Sequence, residues 1–189
     1  MERKEITHHD QFFAVLSGLR AGGGNLKFRN YNFRIDVNLF QEARGFFIED
    51  CTFYESVNFN PVQINDWYFH KVEFKKKFDV SEISFKKKVR FHSCSFEGQT
   101  NFENSKFREL ADFCGSSFYK PVVFYKTDFY KRAVFSGVKF HENVLYTYSL
   151  IEDHLILRGA KFFKGLDLSL IILQGSINLY NITIDRFES

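Results

Sequence analysis

The sequence predicts an all-β solenoid, a β-helix closed at its N-terminal end by a short helix. Three observations predict it. One aromatic residue is in large excess, with 26 Phe against one Met, one Trp and two Pro in 189 residues. Apolar positions recur at steps that alternate between six and five. A second register of small or β-branched residues sits two positions ahead of the first. A core that demands the same residue many times is a repeated environment, and a chain of this length holds one domain with a sizeable core.

Residues 1–25 form an N-terminal segment and residues 26–189 the repeat domain. Residues 9–21 have a helical pattern. Asp10 is placed to cap it, Phe12, Phe13, Leu16 and Leu19 make one apolar side, and Gly22-Gly23-Gly24 ends it. A helix there shields the unpaired strand edges of the first coil. The acidic residues of the start, MERKEITHHDQ, and Arg20 make it a poor secretory signal. No apolar run approaches the roughly 18 residues of a membrane span.

The repeat is unbroken from Phe74 to Ile184. It runs Phe74, Val80, Phe85, Phe91, Phe96, Phe102, Phe107, Phe113 and onward to Leu173, Leu179 and Ile184. Two residues ahead of each lies an uncharged residue, as in Val72, Cys94, Ser105, Ala111, Ser116 and Val122. Residues two apart on a strand point the same way, and here that way is inward. Helical spacings of three and four do not fit, nor do hairpins with turns of varied length. A short strand and a corner, repeated, does. Stretches such as Ala111-Asp112-Phe113-Cys114-Gly115 closely resemble the pentapeptide-repeat family, whose unit is a small residue, any residue, a central Phe or Leu, then two more. The departure is one extra residue on alternate steps. The resemblance covers roughly residues 26–184 and implies a right-handed quadrilateral β-helix of about 22 residues per coil. Phe91, Phe113, Phe135, Leu157 and Leu179 then stack in one column.

The rhythm also holds at Phe28, Phe33 and Leu39, and again at Ile48, Phe53, Phe59, Ile64 and Phe69. The gap from Leu39 to Ile48 fits neither five plus five nor five plus six, which makes Gln41–Gly45 a corner irregularity or small loop. A second slip, one residue short, lies between Ile64 and Phe69. At the other end no capping pattern is evident. Val134 and Ile156 stack on the surface there, as do Leu150 and Ile172, and these four are the candidate dimer or C-terminal interface. A homodimer through the C-terminal coils is one expectation, and truncation from a longer chain is its rival.

The net charge is +3, and it is segregated: residues 71–139 carry fifteen Lys/Arg and eight Asp/Glu, a local +7. The triplets Lys75, Lys76, Lys77 and Lys86, Lys87, Lys88 occupy successive equivalent corners, on different faces. They are either a solvated surface or the mark of an anionic partner: nucleic acid, anionic lipid or acidic protein. The pairs Tyr119-Lys120, Tyr125-Lys126 and Tyr130-Lys131 each follow a central Phe and wrap around one coil. Arg108 lies 22 before Tyr130, so the two can stack as a cation–π pair. These thirteen residues are the candidate partner surface.

Catalytic, cofactor and metal sites find no support. Acidic residues are scattered among corners, whereas polysaccharide-cleaving β-helices cluster them. His70, His92 and Cys114 share an outer column but lack a fourth ligand and the usual close spacing of a zinc site. Cys51 and Cys94 sit at the small inward position as core thiols. An odd cysteine count argues for a reducing, cytoplasmic setting. The expected function is a non-enzymatic protein-interaction scaffold, with another protein as partner. The family implies a second class, duplex-DNA mimics that modulate type II topoisomerases, and the +7 centre speaks against their acidic surface. The third is a targeting or regulatory module of a longer membrane-associated protein.

Overall fold

In the computed structural model, which describes residues 3–20, 25–39, 45–59 and 66–185, the chain winds into a four-sided β-solenoid. The first side begins with β2 (Leu26–Arg29), the second with β3 (Tyr31–Phe33) and the third with β4 (Val37–Leu39). The fourth side begins at Ser84–Phe85. All pairs between coils are parallel, and in the regular part partners are 22 residues apart, as Phe96 with Phe118 and Phe118 with Phe140. Inward residues of successive coils thus lie directly over one another. Phe rings stack nearly parallel: Phe113 and Phe135 are 4.9 Å apart at 2°, Phe107 and Phe129 4.9 Å at 2°. Every position of both registers from Val72 to Phe162 is buried.

Two kinds of corner explain the alternation of steps. At the first corner (side one to side two) and the third, a five-residue step contains a β-turn closed by bonds such as Ser116 N–H to the Phe113 carbonyl, 3.1 Å. Its third residue has positive φ: Asn30, Asp50, Lys71, Ser93, Gly115, Gly137, Gly159 and Asn181 at the first corner; Glu82, Asn104, Lys126, Tyr148 and Leu170 at the third. Positive φ at that place is what a type II turn requires. The second and fourth corners take six residues, and among the described residues only Gly165 there has a positive φ. The residue after each left-handed one points inward, and where it bears a hydroxyl it ties two coils together. Ser116 Oγ donates to the Phe91 carbonyl (2.6 Å) and accepts from the Cys94 N–H (3.0 Å), and Ser105 does the same with Val80 and Ile83.

The first coils are shorter. Phe33 pairs Phe53, twenty residues on, and Phe53 pairs Phe74, twenty-one on. Both register slips fall between side three and side one: β4 ends at Leu39 and β5 (Gly45–Glu49) starts side one again, while Val57–Phe59 is followed by Asp66–His70. Gly45 is a strand residue, not part of a loop; residues 41–44 and Ile64 lie outside the described residues. Where the short coils narrow, bulky residues occupy the small inward position: Phe46 and then Trp67, fully buried, stand in line with Val89.

The N-terminal segment is more than a cap. β1 (Lys4–Ile6) pairs with β3 and extends side two by one strand. α1 (His9–Arg20) then covers the coil end. Phe12 and Leu16, one turn apart, are buried on it, but Phe13 is 54% exposed because it lies about 100° round the helix. Asp10 does not cap: it lies within the first turn, and Gln11 Oε1 instead accepts from the N–H groups of Thr7 (2.8 Å) and His8 (3.3 Å). Leu19 and Gly22–Gly24 are outside what is described of side chains and backbone.

Candidate interaction surface

The lysine triplets are half a coil apart, so Lys75–Lys77 lie at the second corner and Lys86–Lys88 at the opposite, fourth corner. Neighbouring coils neutralise much of their charge. Lys75 bonds Glu73 (2.8 Å) and Glu97 (2.6 Å), which hold its ammonium up to about 12, above the ordinary lysine range. Lys76 pairs with Glu55, Lys77 with Asp79 (2.7 Å) and Lys87 with Glu109 (3.2 Å). Lys86 and Lys88 are exposed. Of the triplet lysines, Lys75, Lys76, Lys77 and Lys87 are ion-paired, and Lys75, Lys76 and Lys87 reach carboxylates of a neighbouring coil.

The tyrosine pairs wrap the coil over three successive corners. Arg108 does lie over the Tyr130 ring, 4.3 Å from its centroid, at the fourth corner. At the third corner Tyr125 meets Lys126 (5.1 Å) and Tyr148 edge-on (5.7 Å); Lys120 and Lys131 are exposed. At the second corner Tyr119 starts a column that the sequence alone did not single out. Its ring stacks on His141 at 4.4 Å and 9°, and His141 stacks on Phe163 at 4.6 Å and 11°. The signal was there: the three are spaced 22 apart. Burial between these rings, with Lys139 alongside, lowers the His141 pKa below the ordinary value of 6.5.

Beyond residue 119 the outward positions change character. On side three, Asp79 and Asn101 are followed in register by Val123 and Leu145; on side four, Lys106 and Asp128 by Leu150 and Ile172; on side one, Asp112 by Val134 and Ile156. Side two stays polar, with Ser95, Ser117, Lys139, Lys161 and Thr183. Val134, Leu150 and Ile156 are half-buried, and Ile172 is 57% exposed. Around the third side Tyr119, Leu145, Tyr148, Phe163 and Leu170 are 38–61% exposed. A cleft of about 370 Å3 opens there, bordered by Leu145, Lys164 and Asp167, where the regular ladder of side three ends in a single bridge, Leu145 to Asp167.

A family model described as pentapeptide repeats (9 copies) matches residues 81–128. Those residues lie within the 22-residue coils and their two-register core. Residues 81–128 thus carry pentapeptide repeats, and the coils on either side continue the same two-register pattern. No curated protein and no solved structure matches the chain.

In this solenoid His70 and His92 are register partners, but His92 Nε2 bonds Asp112 Oδ2 (2.9 Å), and no cluster of metal-ligating side chains occurs among the described residues. Cys51 and Cys94 are buried, and burial pushes their thiols up to about 11 and about 12. Among the described residues no helix is long and apolar enough to cross a membrane.

Proposed function

We propose that this solenoid is a non-enzymatic protein-interaction scaffold and that its working surface is the third side between residues 119 and 170. The observation that carries this is the placement of Tyr148 and Leu170. Both stand at left-handed turn positions (φ 60° and 57°), where Gly or Asn is the relaxed choice, and both are exposed, by 53% and 61%. Such a conformation costs a bulky residue about 1–2 kcal/mol, and neither side chain recovers that by burial in the core. The other non-glycine residues at this turn place among the described residues, such as Lys71, Glu82, Ser93 and Lys126, are polar, and only Tyr148 and Leu170 are apolar or aromatic; their exposure makes them part of an apolar patch of the kind that marks a binding surface.

The test is affinity capture with three folded baits: the native chain, Tyr148→Asp/Leu170→Asp, and Lys76→Ala/Lys87→Ala. The first and third should retain one set of specifically bound proteins that the second loses. Identical sets from all three baits remove this surface from consideration. The paired lysines offer a duplex mimic no acidic column.

A second copy of the chain is a further partner in this reading, favoured by the outward apolar columns Val134–Ile156 and Leu150–Ile172. Leu173, Leu179 and Ile184 are 38–45% exposed, whereas their partners one coil earlier, Ile151, Leu157 and Phe162, are at most 1% exposed. Val134, Leu150, Ile156 and Ile172 carry the apolar surface from Leu173, Leu179 and Ile184 onto the sides.

A further inference from the structure

Outside the triplets, four lysines without an ion pair among the described residues gather at one place. Lys139 and Lys161 are register partners in adjacent strands of side two, both exposed, with Ser117 and Thr183 beyond them in the column. Like charges directly opposed on a sheet destabilise it. Lys120 and Lys164 flank the same corner. None of the ion pairs among the described residues includes any of these four. The acidic groups nearby are Glu142, between Lys120 and Lys164 in its column, Asp185 beyond Phe163, Glu97 before Tyr119, which Lys75 already pairs, and Asp167, which borders the same cleft as Lys164. The local balance stays positive.

Between these lysines runs the Tyr119–His141–Phe163 column. His141 has both faces covered and Tyr119 and Phe163 one each, so the stack presents mainly ring edges to the outside. A ring edge carries the positive part of the aromatic quadrupole and attracts anionic oxygen, while the face, which would stack a nucleic-acid base, is occupied. Lysines and ring edges thus ask for the same thing, carboxylates beside apolar side chains.

We propose that the second corner between residues 119 and 164 binds an acidic, apolar segment of another protein. Its carboxylates meet Lys120, Lys139, Lys161 and Lys164, and its apolar side chains lie against Tyr119 and Phe163. This rests on the protein-interaction reading above and names the chemistry of the partner.

Fluorescence anisotropy with the full chain tests it. The probe is a fluorescein-labelled peptide alternating glutamate with leucine, and the control replaces glutamate by glutamine. The glutamate peptide should bind at least about tenfold more tightly, and less so as salt rises. Lys139→Glu/Lys161→Glu should lose about tenfold or more, and Lys76→Glu/Lys87→Glu should change nothing, with far-UV circular dichroism showing each variant folded. Equal binding of the two peptides overturns the proposal, as does equal loss in both variants. So does tighter association with phosphatidylserine vesicles or with a single-stranded oligonucleotide than with the peptide. A peptide failure with the capture difference intact overturns the acidic assignment alone; failure of both overturns the interaction reading too.

Discussion

At the scale of single residues, the core is a mixture of interchangeable bulk and specific polar bonds. A stacked Phe such as Phe113 is one of many, each burying a large ring, and its loss leaves a cavity worth about 3–5 kcal/mol. Ser116 is small but equally committed, because its hydroxyl bonds the backbone of the preceding coil on both its donor and acceptor side. Ser116→Ala should cost about 1–3 kcal/mol, since it strands the Cys94 N–H and the Phe91 carbonyl. Tyr146 is the contrast. It fills a Phe position, stacks on Phe124 at 5.0 Å, and its buried hydroxyl finds no partner among the described residues. Tyr146→Phe should leave stability unchanged or raise it by about 1 kcal/mol. Urea unfolding of the two variants beside the native chain checks both signs. The Ser, Thr and small-residue register was legible in the sequence as uncharged and inward. Why hydroxyls occur in it was not, because the bonds join residues 25 apart.

At the scale of the element, the unit is the corner. Five-residue corners need a residue of positive φ, and the first corner supplies Lys71 and Ser93 and then Gly115, Gly137 and Gly159. The third corner moves from Asn104 through Lys126 to Tyr148 and Leu170, away from what the turn prefers. Leu170→Asn should therefore raise stability by about 0.5–1 kcal/mol, read as a higher midpoint of thermal unfolding, while removing one of the side chains assigned to partner binding. A lowered midpoint would show that Leu170 contributes to packing and would weaken its functional reading. The sequence marked neither Tyr148 nor Leu170, because a φ value has no signature in a residue that dislikes it. The N-terminal strand β1 escaped for a related reason: three residues, Lys4–Ile6, carry no period, and pairing with β3 alone makes them a strand.

At the scale of the whole molecule, polar and apolar outer surfaces are separated along the solenoid. The coils up to about residue 118 carry salt-bridged columns, and the later ones carry outward apolar side chains, half-buried or exposed, on three of four sides. Each coil touches only its neighbours, so such a change at one level leaves the rest of the fold intact. A second copy covering the last coil would bury Leu173, Leu179 and Ile184. Sedimentation equilibrium should then give a dimer, and Leu179→Asp/Ile184→Asp should give a folded monomer. A monomeric native chain at high micromolar concentration ends that reading.

The sequence by itself determined the inside. Phe91, Phe113 and Phe135 had to stack once the steps of six and five were seen, because a fixed 22-residue coil puts like residues in one column, and burial admits no charge there. It also placed Arg108 on Tyr130, and Val134 and Leu150 in columns with Ile156 and Ile172, since column membership is arithmetic. What only the tertiary structure decided is how outward neighbours from different coils use one another. Lys76 pairs with Glu55, 21 residues back across a short coil, and His92 with Asp112, 20 residues on, neither of them at the 22-residue spacing of a column. Trp67 could fill a small-residue position only because the early coils are one or two residues short. Outward side chains obey no common environment, so their partners are set by geometry between coils and not by the repeat.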